Sequence, residues 1–350
     1  MIIKLPEKTI NVFTISPRTL DLTLYWQNIQ SVVRWSEQYD CTGVLIFTGN
    51  DTYVEPWLVA HDVIRQTQNL CPLVAVNPVY MHPFTAAKMV SSFAYLYGRK
   101  VFLNMVTGAA LSYLEGFNDR LEHDERYERL GEYIEIVKSL IAGQGLTSFD
   151  GKFYKTSGLQ LLPKVPEALR PEFLLAGQSE AARSLSQRVG AIGMQMLQPE
   201  MERAVGEAHG IHFGIITRTT TAEAWQAARE LFPEDQEGQQ ILDLSMKNTD
   251  SIWKKKMRLA SKIRDIKGSD AVDESTGYWL QPFRNFKADC PYFVGDYARV
   301  ADLLVRLIQN DIGLFILDIP AREEEFKHID AAFQRAATQL GAASRVSAGD

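Results

Sequence analysis

At 350 residues, with 46% hydrophobic and 23% charged side chains, the chain has a globular composition and enough length to bury a large core. A formal net charge of −6 argues against a nucleic-acid partner, and the KKK at 254–256 is a short run within a polar helical stretch. Cys41, Cys71 and Cys290 are too far apart for a disulfide framework or a CxxC metal site.

They read as reduced, buried thiols of a cytoplasmic protein. The start, MIIKLPEKT, is not the apolar segment of a signal peptide, and no 18-residue apolar run suits a membrane span. A soluble protein without a membrane partner is expected.

Taken in order, TINVFTIS (9–16) predicts a first strand, and 22–39 a helix with apolar residues at helical spacing. TGVLIF (42–47) predicts a second strand ending in polar TGNDTY, before a helix from Pro56 to Gln66. CPLVAVNP (71–78) is a third strand, and 82–98 a helix with proline at its start and glycine at its end. VFLNMV opens a fourth strand at Val101, broken by Thr107 and Gly108, and a helix follows over 124–142. The interruption SFDGKFYKTSG (148–158) predicts a hairpin turning near Asp150 and Gly151.

The alternation then resumes. EFLLAG (172–177) predicts a strand, and the next helix has Ser179 as its N-cap. AIGMQML (191–197) and IHFGIITRT (211–219) predict two more strands, separated by a helix over 199–210; the following helix is capped by Thr221. Residues 233–293 break the rhythm with a polar, helical-looking segment and the aromatic stretch YWLQPFRNF. A helix over 296–311, a strand GLFILDI (313–319) and a closing helix complete the pattern.

Eight apolar strands alternating with helices predict a parallel α/β fold, a (β/α)8 TIM barrel with insertions, the largest between strands 7 and 8. One domain spans 1–340, and 341–350 is a tail. No GxGxxG follows any strand, and neither HEXXH nor GxSxG occurs. The carboxyl ends of the strands, where such barrels bind ligands, carry Thr48, Asn50, Asp51, Tyr53, Asn77, Asn104, Thr107, Gln195, Thr217, Arg218 and Asp318. These are mainly neutral hydrogen-bonding groups without the density of His and carboxylates that a metal needs, so no metal is assigned. His123 and Tyr127, four apart at a helix start, share one face. AGQSEAA (176–182) reads either as an ordinary capped turn or as a glycine turn whose helix N-terminus would seat a phosphate.

TGVLIFTG, PWLVA, NMVTG, ERYE, FDGKFY and FGI…EAWQAA, in that order, resemble the bacterial-luciferase-like flavin monooxygenases, and the FMNH2-dependent alkanesulfonate monooxygenases within them. The resemblance runs from about residue 10 to 335 and implies a (β/α)8 barrel holding FMN. It implies a two-component monooxygenase, in which FMN is reduced by a separate NAD(P)H:FMN reductase. One oxygen atom of O2 then reaches a small or carrier-protein-bound substrate through a flavin peroxide. Residue by residue, it assigns cofactor contacts to Thr107, Gly108, His123, Tyr127, Gly177, Gln178 and Ser179. His123 and Arg218 are the candidates for catalysis.

Departures fall on the substrate side. The site arginine of strand 7 becomes Ile216, and Arg218 stands where the family has histidine, leaving an inward or a solvent- or phosphate-facing guanidinium both open. Leu197 replaces a tryptophan, Thr48 and Tyr53 lie in a longer loop after strand 2, and Arg284 and Lys287 fall near a lid arginine. Thr48, Tyr53, Leu197, Ile216 and Arg284 are therefore the substrate candidates, and an oxygenase or desulfonase relative with a different substrate, in specialised biosynthesis or sulfonate-type metabolism, is expected. The resemblance also suggests a homodimer or homotetramer. An F420-dependent oxidoreductase on the same barrel, a non-catalytic flavin-binding protein and a metal-dependent barrel hydrolase are the alternatives.

Overall fold

The computed structural model describes residues 1–17, 21–108, 110–199, 209–267 and 274–341. Its elements begin with β1 (Ile3–Lys4), β2 (Thr9–Ile15), α1 (Leu22–Gln38), β3 (Gly43–Ile46), α2 (Pro56–Gln66), β4 (Cys71–Val76), α3 (Pro83–Tyr97) and β5 (Phe102–Met105). There follow α4 (Leu111–Gly116), α5 (His123–Ala142), β6 (Thr147–Asp150), β7 (Lys155–Leu159), β8 (Phe173–Ala176), α6 (Glu180–Val189) and β9 (Ile192–Met196). The rest are β10 (Gly210–Arg218), α7 (Thr221–Leu231), α8 (Gln236–Lys247), α9 (Ile252–Lys267), β11 (Tyr278–Trp279), α10 (Gln281–Arg284), β12 (Tyr292–Asp296), α11 (Tyr297–Gln309), β13 (Leu314–Asp318) and α12 (Glu323–Gln339).

The eight strands expected from the sequence are β2, β3, β4, β5, β8, β9, β10 and β13, and the fold is the (β/α)8 barrel. Their β-branched and aliphatic runs are buried on both faces, as all four residues of β3 and of β5 illustrate. The contacts divide into two compact units, Met1–Gly43 with Gln195–Lys247 and Trp253–Asp350, and Val44–Met194 with Asn248–Ile252.

In the first unit β13 pairs in parallel with β2 on one side and β10 on the other. β10 is nine residues long. Its first half, from Gly210 to Gly214, pairs with β13, whereas Gly214 to Arg218 pair in parallel with β12, which carries β11 antiparallel. The aromatic stretch that breaks the rhythm contributes β11, and five residues separate its end from the extra strand β12. A β10 longer than its partner offers backbone donors and acceptors that this segment satisfies. The helix cap also differs from expectation: Thr220, not Thr221, is the N-cap of α7. Its hydroxyl accepts from the Glu223 N–H while Glu223 accepts from the Thr220 N–H, a reciprocal capping box. Thr221 instead donates to Asp296 at 2.7 Å.

In the second unit the strand order is β3-β4-β5-β8-β9, all parallel where register is defined. The expected hairpin is β6–β7, and it is anchored to α5: Glu132 accepts from the N–H groups of Lys152, Phe153 and Tyr154 at 2.7, 2.9 and 3.0 Å. A side chain at Gly151 would strike that carboxylate at 2.4 Å, which explains the glycine in FDGKFY. The short α4 was not foreseen. Cys41 and Cys290 are buried but Cys71 is only half-buried, and none of the three forms a disulfide. Residues 200–208 of the expected helix over 199–210, and residues 342–350 of the tail, lie outside the described residues. Among the described residues no helix is long and apolar enough to cross a membrane.

Candidate active site

Two strand ends and one helix start of the second unit meet at one phenol. β5 runs out into Thr107 and Gly108, β8 into Gly177, Gln178 and Ser179, and the first turn of α5 supplies His123 and Tyr127. Glu122 starts α5 with a capping box to Glu125, which fixes the direction from which that turn presents its side chains. The rings of His123 and Tyr127 lie 5.1 Å apart. The Tyr127 hydroxyl donates to the Ala176 carbonyl oxygen at 3.4 Å, and the Thr107 and Ser179 hydroxyls lie close enough to favour its ionised form. Burial pushes that phenol above its ordinary range, so it stays a neutral hydrogen-bond donor.

The glycines are steric requirements of the same cluster. Gly177 has φ +147°, and a Cβ there would sit 2.6 Å from the Tyr127 hydroxyl and 2.7 Å from the Ala182 Cβ. Gly108 has φ +81°, and its Cβ would press at 3.1 Å on both Asn77 and Leu114. Ser179 caps α6 with a side-chain oxygen 3.1 Å from the Ala182 N–H. The Gln178 carbonyl accepts from Arg183 at 3.2 Å, so the turn is held from behind.

Asn104 is 8% exposed, and its Oδ1 is buried without a hydrogen-bond partner. On the ladder it pairs with Ala75 and Leu174. The alternate face of these strands carries Leu103 and Phe173, and Lys138 of α5 lies over the Phe173 ring at 5.1 Å. Asn104 therefore sits on the face turned away from α5, which in a barrel strand is the inner one. An unpaired buried amide is costly, and a ligand able to hydrogen-bond relieves that cost. The donor set of neutral hydroxyls, an amide, glycine turns and a free helix N-terminus fits a phosphorylated isoalloxazine.

A piece of the long insertion belongs to this unit. Thr249 forms an antiparallel bridge with Ala110, and Asn248 and Ser112 exchange hydrogen bonds at 2.9 and 2.7 Å. Asp250 pairs with Arg126, the residue before Tyr127, whose side chain is buried. Reading the sequence missed this strap. Its only signal was the polar break NTDS between two amphipathic stretches, which shows a turn but not its partner.

The remaining expected residues separate by unit. Thr48 follows β3 in the second unit, and Tyr53 is 40% exposed in the same loop. Leu197, Ile216, Arg218 and Arg284 belong to the first unit. Leu197 and Ile216 are buried, Ile216 opposite Val294 on β12, and Arg284 ends α10. Arg218 is ion-paired: both of its terminal nitrogens are held by the buried Glu325 of α12, one at 3.0 Å. Beside it Tyr297 and His328 are hydrogen-bonded at 2.5 Å. Among the described residues no three His, Cys, Asp or Glu side chains gather as a metal site.

The model of the luciferase-like monooxygenases matches residues 12–272, well over half the chain. The chain belongs to this family. It is thus a monooxygenase by descent, and the resemblance drawn from NMVTG and ERYE is borne out at that level. Among curated relatives it is 29% identical over 317 residues to the 4-(gamma-L-glutamylamino)butanoyl-[BtrI acyl-carrier protein] monooxygenase BtrO of Niallia circulans, covering 87% of this chain and 89% of that protein. Among solved structures it resembles EDTA monooxygenase from Chelativorans sp. BNC1, with TM-score 0.68, 16% identity, and 95% and 93% of the two chains covered. It also resembles the oxygenating constituent of 3,6-diketocamphane monooxygenase from Pseudomonas putida, in complex with FMN, with TM-score 0.66, 14% identity, and 94% and 98% covered. At such identities the two structures speak for the shared fold.

Proposed function

We propose that this family member is the oxygenase component of a two-component system. It would take FMN reduced by a separate NAD(P)H:FMN reductase and pass one atom of O2 to an acyl group tethered to a carrier protein. The observation that carries the cofactor assignment is the convergence of Thr107, Gly177 and Ser179 on the Tyr127 hydroxyl, with the unpartnered Asn104 on the inner strand face. The tethered substrate is supported by the Niallia circulans relative, whose own substrate is so described.

Reduced FMN, when bound, supplies the oxygen chemistry. The chain's part is to bind and orient. Ser179 and the first N–H groups of α6 would receive the phosphate, a role suited to a helix N-terminus. Gly177 and Gly108 let the backbone approach, and the neutral Tyr127 phenol donates. Thr107 and Asn104 would hold the ring, while Gln178 shapes the turn. His123 has its Nδ1 2.6 Å from Asp124, which orients the imidazole beside Tyr127, so we assign it to the phosphate and ribityl end. With its guanidinium committed to Glu325, Arg218 is assigned to joining β10 and α12.

Leu58 on α2 and Tyr95 and Leu96 on α3 are 63%, 72% and 63% exposed. A patch of that kind on adjacent helices suits a second copy of the chain, and we assign a homodimer to it. Three cysteines outside any disulfide and a nicotinamide-dependent partner suit the cytoplasm.

The test is anaerobic titration with FMN and FMNH2, with Ser179→Ala and Tyr127→Phe beside the parent chain. Saturable binding weakened by both substitutions is the expected result, together with reductase-dependent O2 uptake in a separate aerobic assay. Binding of F420 alone, or of neither flavin, would overturn the assignment.

A further inference from the structure

Residues 252–267 carry seven Lys/Arg, at 254, 255, 256, 258, 262, 264 and 267, against the single acid Asp265, in a chain whose net charge is −6. The sequence places them on one helix, α9, and the structure sorts them. Met257 and Ser261 are buried and mark the inward face. Lys254 is paired with Asp289 at 2.9 Å, and Arg258 with Asp243 of α8. Lys255, Lys256 and Lys262 are exposed. For Lys255 and Lys262 no carboxylate lies within salt-bridge distance among the described residues. Between them on the helix stands Leu259, 62% exposed, so that Lys255, Leu259 and Lys262 form an i, i+4, i+7 stripe.

The helix joined to α9 by the Arg258–Asp243 pair also exposes apolar side chains. Its Leu242 is buried, while Ile241 and Leu244 are 38% and 64% exposed. The Arg258–Asp243 pair holds α8 and α9 together. An apolar centre with a basic rim is the anatomy of a protein-docking face, whose charge selects an acidic partner and speeds encounter. The exposed apolar residues are all aliphatic, so the face lacks the aromatic platforms on which single-stranded nucleic acid stacks.

We propose that the α8–α9 surface docks the acidic face of the acyl-carrier protein that presents the substrate. The inference rests on the carrier-bound reading of the function and adds to it the recognition element. Leu259 seats against the partner's apolar ridge, and Lys255 and Lys262 face its carboxylates.

The experiment uses the full-length FMN-loaded protein and the acyl-carrier protein of the Niallia circulans relative, with a fluorophore on its phosphopantetheine thiol. Anisotropy titrations compare the parent chain with Lys255→Glu/Lys262→Glu and with Leu259→Ser, at low and moderate salt. The expected result is saturable binding that weakens with salt and is reduced about ten- to thirtyfold by the double charge reversal. Leu259→Ser weakens it less and leaves its salt dependence intact. FMN affinity, read separately, is unchanged in both variants and shows that they fold. If the parent chain does not bind the carrier, the carrier-bound reading fails, and this inference with it. If parent and double variant bind equally, the docking surface alone is wrong. Equal capture by vesicles of phosphatidylglycerol would also overturn it, since a surface that does not discriminate is a membrane-seeking helix.

Discussion

Replacing Asn104 with leucine should move stability and cofactor affinity in opposite directions. Leucine has nearly the shape of asparagine and no hydrogen-bonding atoms. The Asn104 Oδ1 is buried and unpartnered in the ligand-free chain, and such a group costs about 1–3 kcal/mol. Asn104→Leu removes that cost and adds apolar burial, so the apo protein should gain on the order of 1–2 kcal/mol. Spread over the unfolding entropy of 350 residues, this is a rise in Tm of only about 1–3 °C. The holo protein behaves differently, because a polar edge of the flavin would then be buried against leucine. One lost hydrogen bond with its stranded partner weakens FMN binding about tenfold or more. The assay is scanning calorimetry without flavin together with fluorescence titration of FMN, on the same preparation. An apo Tm that falls, with FMN affinity unchanged, would refute the reasoning, for Asn104 would then be a packing residue.

Gly177→Ala should lower both stability and FMN affinity, because its Cβ would meet Tyr127 and Ala182 in a left-handed backbone; about 1–3 kcal/mol is expected in chemical denaturation. Arg218→Met strands the buried Glu325 and should destabilise by about 3–5 kcal/mol, whereas Arg218→Met/Glu325→Leu should recover much of that loss. Calorimetry of the single and double variants checks it, and FMN affinity should hold in both. The phenols of Tyr127 and Tyr154 are raised by burial, the latter to about 12, above the ordinary value near 10. The unfolded chain therefore releases these protons first, so stability is fully present below about pH 10 and falls as pH rises beyond it. Tyr154→Phe should flatten that alkaline slope in Tm measured against pH. Asp250→Ala leaves Arg126 without its carboxylate, and limited proteolysis should then cut the 248–252 segment faster than in the parent chain.

The fold was legible because each barrel strand is an apolar run with few competing readings. GVLI and FLNM bury every residue, and the chain punctuates itself at Pro56, Pro83 and Gly98. β12 was not legible, because its pairing depends on β10 outlasting β13, a difference in length between two distant segments. The cap of α7 was misplaced by one residue for a local reason. Thr220 and Thr221 are chemically equal, and only the reach of Glu223 back to the Thr220 N–H separates them. The fate of Arg218 was illegible because Glu325 lies 107 residues away and a buried carboxylate leaves no periodic trace in sequence.

The distribution of the expected contacts along the chain follows from the same physics. Every residue expected to touch the cofactor, from Thr107 to Ser179, belongs to the Val44–Met194 unit. A phosphate and a flat ring demand a few fixed donors and close backbone approach, and such demands leave short, readable motifs. The residues expected to touch substrate are split, with Leu197, Ile216 and Arg284 in the first unit. There Leu197 and Ile216 are apolar and buried, and the Arg218 guanidinium is paired with Glu325 rather than held as an open anion clamp. A substrate brought on a carrier needs no such clamp, because the protein that bears it supplies the binding energy at a distance. Substitutions in the Val44–Met194 unit should therefore register first in FMN affinity, and Leu197→Trp or Ile216→Arg in substrate turnover with FMN affinity kept. If Ile216→Arg instead abolished FMN binding, the assignment of cofactor and substrate to different parts of the chain would be wrong.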